Sequence, residues 1–267
     1  MANPLSLLVN GVCGRMGFRV VHLAMDDDRF QVAAGREHSD HPKYGLDLGQ
    51  VMGLPSLEGI RITHEWPKDR RIDVVIDVSS PEGTAALLPM CRADKIPMIV
   101  ATTGHSVEQM ASLKEAGHDM PLLVAANLSL GMNLMMKLVG QAASALRTQD
   151  FDIEIIERHH RFKKDSPSGT ALRLSQVIQE QVGDVPVRHG REGIVGERSK
   201  QEIGIHAVRA GDHVGDHTVL FSTLGETLEL QHKASSRDAF AKGALEAAAF
   251  LVSKGPGWYS MADVLGL

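Results

Sequence analysis

Cysteine is almost absent from the chain: Cys13 and Cys91 are the only two in 267 residues. One pair cannot build the disulfide framework of a small secreted domain, and it fits none of the paired spacings of zinc modules. A reducing, cytoplasmic compartment is therefore expected, and the sequence offers no metal site. An excess of positive charge is also missing. Lys and Arg number 28 against 33 Asp and Glu, for a formal charge of −5, which argues against binding nucleic acid or an anionic membrane through bulk charge. No run is apolar enough to span a bilayer. The longest mostly apolar stretch, residues 122–140, is broken by Asn127, Ser129, Asn133 and Lys137, each expensive to bury in hydrocarbon. The N-terminus lacks a basic region ahead of its short apolar stretch, so it does not read as a secretory signal.

What is present fits a globular protein of about two domains, with 43% hydrophobic and 23% charged residues. In the first half, β-rich runs at 5–9, 30–35, 73–78, 97–101 and 122–126 alternate with helical periods at 16–25, from 81 onward and at 106–116. Such alternation builds a parallel sheet with helices on both faces, an α/β, Rossmann-like nucleotide-binding domain. After Ser129 the pattern changes. A long helix at 132–146, a strand at 151–157 and a helix at 169–181 lead into strand-like runs at 202–209, 217–222 and 227–233 without crossover helices. That succession predicts an α+β domain with a mixed or antiparallel sheet. A final helix, 237–253, follows, and the Gly/Arg/Glu-rich stretch 189–200 reads as a long mobile loop.

Two motifs carry chemistry. The first strand runs into Gly11-Val12-Cys13-Gly14-Arg15-Met16-Gly17. Glycines at a strand-to-helix turn permit close backbone approach, and the helix N-terminus then faces a pyrophosphate. Glu37 stands about 20 residues beyond, where a carboxylate can bond the adenosine ribose of NAD. Arg36 and His38 flank it, and either suits the 2′-phosphate of NADP, so NADH and NADPH both stay open. Two later turns, Ala101-Thr102-Thr103-Gly104 and Ala125-Ala126-Asn127-Leu128-Ser129, fall at strand ends of the same sheet and fit a nicotinamide pocket, or serve only as loops.

The second motif is Glu157-Arg158-His159-His160-Arg161-Phe162-Lys163-Lys164-Asp165-Ser166-Pro167-Ser168-Gly169-Thr170-Ala171. Ser168 reads as an N-cap, which turns the Gly169 and Thr170 amides toward an anion such as a carboxylate. Basic side chains concentrated before that point, in an acidic chain, suggest a dianionic small molecule. His159 is the acid/base candidate, and Lys163 a source of positive charge or of a proton. His213 and His217, four apart, read as surface or interface residues rather than a zinc pair, as do His38 and His41. The 12 methionines read as core filler.

Together these motifs resemble the dihydrodipicolinate (4-hydroxy-tetrahydrodipicolinate) reductase family of bacterial lysine and diaminopimelate synthesis. The resemblance is collinear: GVCGRMG at 11–17, DVSSPEGT at 77–84, ATTG at 101–104, AANLSLGMN at 125–133, ERHHRFKKDSPSGTA at 157–171, VRAGDHVGDHTV at 208–219 and HKASSRDAFAKGA at 232–244. It implies a dinucleotide-binding domain of residues 1–130 and 237–267, and a substrate-binding and oligomerisation domain of 131–236 that forms a homotetramer. It makes His159 the proton donor/acceptor and Lys163 the second proton donor, with His160, Gly169 and Thr170 holding substrate carboxylates. Gly11, Val12, Cys13, Gly14, Arg15, Met16, Glu37, Ala101, Thr102, Thr103, Ala125, Ala126, Asn127 and Leu128 would contact the cofactor. The implied reaction is NAD(P)H-dependent reduction of a cyclic dicarboxylate. Three positions depart from the family pattern: His38 stands where an Arg is usual, Ala101 replaces a Gly, and Val78-Ser79 replaces Phe-Thr. The competing readings are a dehydrogenase of another small dicarboxylate or amino-acid-derived aldehyde, and a silent nucleotide-binding protein.

Overall fold

Period-two alternation in the N-terminal strands sorts side chains onto two faces. Leu7 and Val9 lie in one buried cluster and Leu8 in another; Val74 and Ile76 oppose Val75 in the same way, as do Ile99 against Met98 and Val100, and Leu123 against Leu122. A strand buried on both faces needs helices on both, and the chain supplies them. The computed structural model describes residues 3–267. Its elements run β1 (Leu5–Asn10), α1 (Arg15–Met25), β2 (Phe30–Arg36), α2 (Leu48–Met52), β3 (Val74–Asp77), α3 (Pro81–Ala93), β4 (Met98–Val100), α4 (Val107–Ala116), β5 (Pro121–Val124) and α5 (Leu130–Leu146). They continue with β6 (Asp152–His159), α6 (Gly169–Val182), β7 (Val187–His189), β8 (Ile203–Arg209), β9 (Gly215–Thr223), β10 (Glu226–Ala234), α7 (Asp238–Leu251), β11 (Gly257–Tyr259) and α8 (Met261–Leu265).

The chain divides into two compact units, one running through Leu130 and resuming at Arg237–Leu267, the other Gly131–Ser236. The first holds a six-stranded sheet in the order β11-β5-β4-β3-β1-β2, parallel at every pairing. Helices α1 and α7 cover one face through Val20, Val21, Ala24, Ala241, Ala244, Ala247, Ala248 and Leu251. On the other face lie α3 and α4, through Leu87, Leu88, Cys91, Leu113 and Ala116. The chain leaves β1 for β2 on one side and returns to β3 on the other, so the order reverses beside β1. Open α/β sheets bind their ligands at such a switch point, beyond the carboxyl ends of the strands.

The second unit carries a mixed sheet, β10-β9-β6-β8-β7. The β6–β8 and β8–β7 pairs are parallel, whereas β9 runs antiparallel to both β6 and β10. Its core joins Ile155, Ile203, Ile205, Val219 and Phe221 to Met132, Met135, Val139, Leu174 and Ile178 of α5 and α6. The α/β plus α+β architecture expected from the pattern is thus borne out. The 189–200 stretch differs from its expectation in one respect. It has no helix or strand beyond His189, but Arg198 bonds Asp152 (2.8 Å), Glu154 (2.9 Å) and the carbonyls of Ile153 and Glu202, while Arg191 reaches Glu154 (2.7 Å). Its composition reads as mobile, yet these arginines tie it to β6.

Candidate active site

The first unit presents its chemistry at the strand ends. After Asn10 the chain turns at Gly11, whose φ of +78° favours glycine; a Cβ there would lie 2.7 Å from Ser79 Cα. Gly17 is needed for a different reason: a Cβ on it would fall onto the Gly11 carbonyl, so α1 rests directly on the turn. Gly14 is the N-cap of α1 and offers no side-chain cap, and no acidic residue occupies the first turn. The helix thus keeps its positive end for an outside anion. Glu37 is fixed beside that turn, its carboxylate accepting the Cys13 N–H (3.2 Å) and the His38 N–H (3.2 Å). A glycine turn with a carboxylate held against it suits a dinucleotide. Burial, and then the Glu37 charge, push the Cys13 thiol up to about 11. The side chains of Val12 and Leu128 are buried in the core, at 0% and 2% exposure. Ala126 and Thr103 are exposed, while Ala101 and Ala125 are half-buried.

Asp77, fully buried at the end of β3, ties the same edge together. It accepts from Asn10 Nδ2 (2.8 Å), Ser79 Oγ (2.5 Å), Thr102 Oγ1 (3.0 Å) and the Thr84 hydroxyl. Thr102, expected as a cofactor contact, is only 7% exposed and spends its hydroxyl on this network. One buried carboxylate thereby sets the ends of β1, β3 and β4, a role that the bare DVSSPEGT string does not announce.

In the second unit β6 explains the site by its alternation. Ile153 and Ile155 pack against the core; two and four residues on, the same face carries Glu157 and His159. The neighbouring strands set Glu157 opposite His217 and His159 opposite Arg209, so four polar side chains share one face. Glu157, 0% exposed, receives His159 Nδ1 at 2.6 Å, Arg209 Nη1 and Nη2 at 2.8 Å each, and the Ser168 N–H at 2.9 Å. Burial alone would raise this carboxyl. The bonds from His159, Arg209 and Ser168 outweigh it and hold the group down to about 2. A carboxylate against Nδ1 fixes that nitrogen as the protonated one in the neutral ring, which leaves Nε2 to accept or deliver a proton. Gly215 makes room for it, since a Cβ there would lie 3.1 Å from His159 Nε2.

Ser168 caps α6 as expected, its Oγ accepting the Ala171 N–H at 3.2 Å. The same hydroxyl meets His217 Nε2 at 3.1 Å. A Cβ at Gly169 would meet nothing within 4 Å, so open space faces the start of the helix. Lys163 pairs with Asp165 at 3.0 Å. The His160 N–H donates to the His213 carbonyl at 2.8 Å, closing the loop that carries these residues.

His217 corrects the surface reading given to it: it is 3% exposed, and its ring lies 5.2 Å from that of His159, edge to face. Burial first, then the neighbouring His159, lower it to about 3, so it stays neutral. His213 precedes β9 rather than sharing a strand with it. Arg209 and His217 escape a local reading because strand pairing, and not spacing, brings them to His159; their signal was the VRAGDHVGDHTV string.

A parallel sheet with a glycine turn and a carboxylate at its switch point defines the class, a dinucleotide-binding α/β protein. Residues 5–128 match the family model for the N-terminus of dihydrodipicolinate reductase, and residues 131–265 that for its C-terminus. The chain belongs to the dihydrodipicolinate reductase family. It is 46% identical to the 4-hydroxy-tetrahydrodipicolinate reductase of Rhodopirellula baltica, over 99% of this chain and 97% of that one, and 43% identical to that of Hahella chejuensis, over 98% of each. A dipicolinate-bound dihydrodipicolinate reductase from Paenisporosarcina sp. TG-14 shares the fold, with a TM-score of 0.73 at 23% identity over 97% of this chain and 98% of that one.

Proposed function

We propose that the protein reduces 4-hydroxy-tetrahydrodipicolinate, or the dihydrodipicolinate formed from it, to tetrahydrodipicolinate in lysine and diaminopimelate synthesis. The observation that carries the reading is the His159–Glu157–Arg209 cluster beside the α6 N-terminus, in a chain of this family. When bound, NADH or NADPH would supply the hydride, to ring carbon 4 of the cyclic imine. Gly11 to Met16 and Glu37 would hold the dinucleotide, with Ala101–Thr103 and Ala125–Leu128 toward its nicotinamide end; Val12 and Leu128, whose side chains are buried, would contribute backbone only. His159 delivers from Nε2 the proton that quenches the charge developing along the conjugated system, while Glu157 holds its ring in register. Gly169 and Thr170 amides, His160 and Lys163 hold the two carboxylates, and Lys163 leaves Asp165 to do so or to give a second proton.

The N-terminal unit is then the dinucleotide-binding domain, and Gly131–Ser236 the substrate-binding and oligomerisation domain of a cytoplasmic homotetramer. Among the described residues no helix is long and apolar enough to cross a membrane. The decisive experiment follows NADH and NADPH absorbance when the protein meets the product freshly made from pyruvate and aspartate semialdehyde by the upstream synthase. Synthase-dependent oxidation is expected, and in His159→Ala turnover falls by about 10²-fold or more with nucleotide affinity unchanged. Absence of oxidation from folded, nucleotide-binding protein overturns the reading, and near-normal turnover of His159→Ala overturns the role of that residue.

A further inference from the structure

Three side chains with metal-ligating atoms come together beside the glycine turn. Cys13 Sγ, a Glu37 carboxylate oxygen and a His41 ring nitrogen lie within 4.8 Å of one another, and each residue is half-buried. They come from the turn after β1, the end of β2 and the loop that follows it, at spacings that resemble no linear metal motif. The backbone orients two of them. Glu37 accepts the Cys13 and His38 N–H groups at 3.2 Å each. His41 Nδ1 accepts the Lys43 N–H at 3.1 Å, and the His41 N–H is itself tied to the His38 carbonyl at 3.1 Å.

We infer that Cys13, Glu37 and His41 form a site for a thiophilic divalent cation, Zn²⁺ foremost, and that an ion bound there excludes the dinucleotide. One thiolate, one imidazole and one carboxylate are a zinc donor set with the fourth position open. Mg²⁺ and Ca²⁺, which take oxygen ligands, are poor occupants. On binding, the thiol proton passes to water, and the thiolate and carboxylate together offset the two charges of the ion. Ligation through either His41 nitrogen breaks the bond that Nδ1 accepts from Lys43. Nδ1 would exchange it for the metal, and Nε2 becomes a ligand only when the ring proton sits on Nδ1, facing the Lys43 N–H. The exclusion follows because Glu37 cannot ligate an ion and bond a ribose at once; this half of the inference rests on the reading of Glu37 in the proposed function, and the metal site does not.

The test uses the whole protein stripped with chelator. Zn²⁺ is titrated calorimetrically and Co²⁺ by its thiolate charge-transfer absorption, both without nucleotide, and NADH binding is then measured with and without Zn²⁺. One equivalent is expected in the wild type, with affinity at least tenfold lower in His41→Asn and Cys13→Ser. Zn²⁺ should weaken NADH binding in the wild type but not in His41→Asn, whose metal-free NADH binding and turnover stay unchanged, and Mg²⁺ should have no effect. Equal Zn²⁺ binding by wild type and both variants, or none, overturns the site. Zn²⁺ binding that depends on Cys13 and His41 yet leaves NADH affinity unchanged overturns the exclusion. Metal-free Glu37→Ala that binds NADH as tightly as the wild type refutes the ribose assignment instead, while the Zn²⁺ titration still decides the site.

Discussion

Replacing Glu157 with Gln removes a charge while keeping the side chain's shape, and its effect follows from four contacts. The carboxylate takes His159 Nδ1 at 2.6 Å, two Arg209 nitrogens at 2.8 Å and the Ser168 N–H at 2.9 Å, at 0% exposure. An amide offers one oxygen. If that oxygen keeps Ser168 and one Arg209 nitrogen, the amide NH₂ faces His159 Nδ1 and the other Arg209 nitrogen, donor against donor. The imidazole relieves the clash by moving its single proton to Nε2 and leaving Nδ1 bare; the amide then opposes the doubly protonated ring from which Nε2 delivers its proton to substrate. A hydrogen bond to a charged group is worth about 1.5–3 kcal/mol, or about 10- to 150-fold in rate if positioning alone is lost. Arg209 simultaneously loses its carboxylate, and breaking a buried pair costs about 3–5 kcal/mol of stability. Glu157→Gln should therefore lower kcat by that factor in the synthase-coupled assay, leave nucleotide affinity within twofold, and show by ¹⁵N NMR a His159 ring protonated at Nε2. A folded Glu157→Gln with kcat within threefold of wild type and an unchanged tautomer refutes the positioning role.

Acid should unfold the protein in two windows. His217, lowered to about 3 from an ordinary value of 6.5, contributes stability that is present above pH 6.5 and lost as pH falls toward 3; Glu157, held at about 2 against 4.5, contributes stability lost between those values. Urea midpoints measured against pH should fall less steeply from pH 6.5 to 4.5 in His217→Asn, and an identical slope sinks the assignment. Gly215→Ala places a methyl about 3.1 Å from His159 Nε2 on backbone with an ordinary φ, so kcat should drop about tenfold, equivalent to about 1.4 kcal/mol of lost transition-state stabilisation, with little change in melting temperature; equal turnover would show that Nε2 does not work toward that side. Arg198→Ala frees the 190–202 segment from Asp152, Glu154 and the Ile153 carbonyl. Tryptic cleavage at Lys200 should then quicken by about tenfold or more as local opening becomes cheaper, whereas an unchanged cleavage rate would mean that Arg191 and the Lys200–Asp150 pair suffice to hold the loop.

Legibility in the sequence followed the range of the interaction. Strands β1 to β5 and helices α1, α3, α4 and α6 were readable because each announces itself within a dozen residues by apolar alternation or helical period, and α3, α4 and α6 start at the serine caps Ser80, Ser106 and Ser168. The elements α2, β7, β11 and α8, of three to five residues, lack the continuous buried run that marks β3, β4 and β5 at similar length, and they exist because neighbouring strands or loops hold them. The same division runs through the site. His159 and the Ser168–Gly169–Thr170 helix start lie in one local string, whereas Arg209 stands 52 residues from Glu157 and His217 stands 49 from Ser168. What joins them is register, parallel between β6 and β8 and antiparallel between β6 and β9. A slip of one residue on either strand would turn Arg209 or His217 to the opposite face of the sheet. The packing of Ile203 and Ile205 on β8, and of Val219 and Phe221 on β9, against the α5–α6 core forbids that slip. The apolar core therefore aligns the polar cluster, and a histidine whose carboxylate stands two residues away in its own string gains its arginine and its neutral neighbour only once three strands are paired.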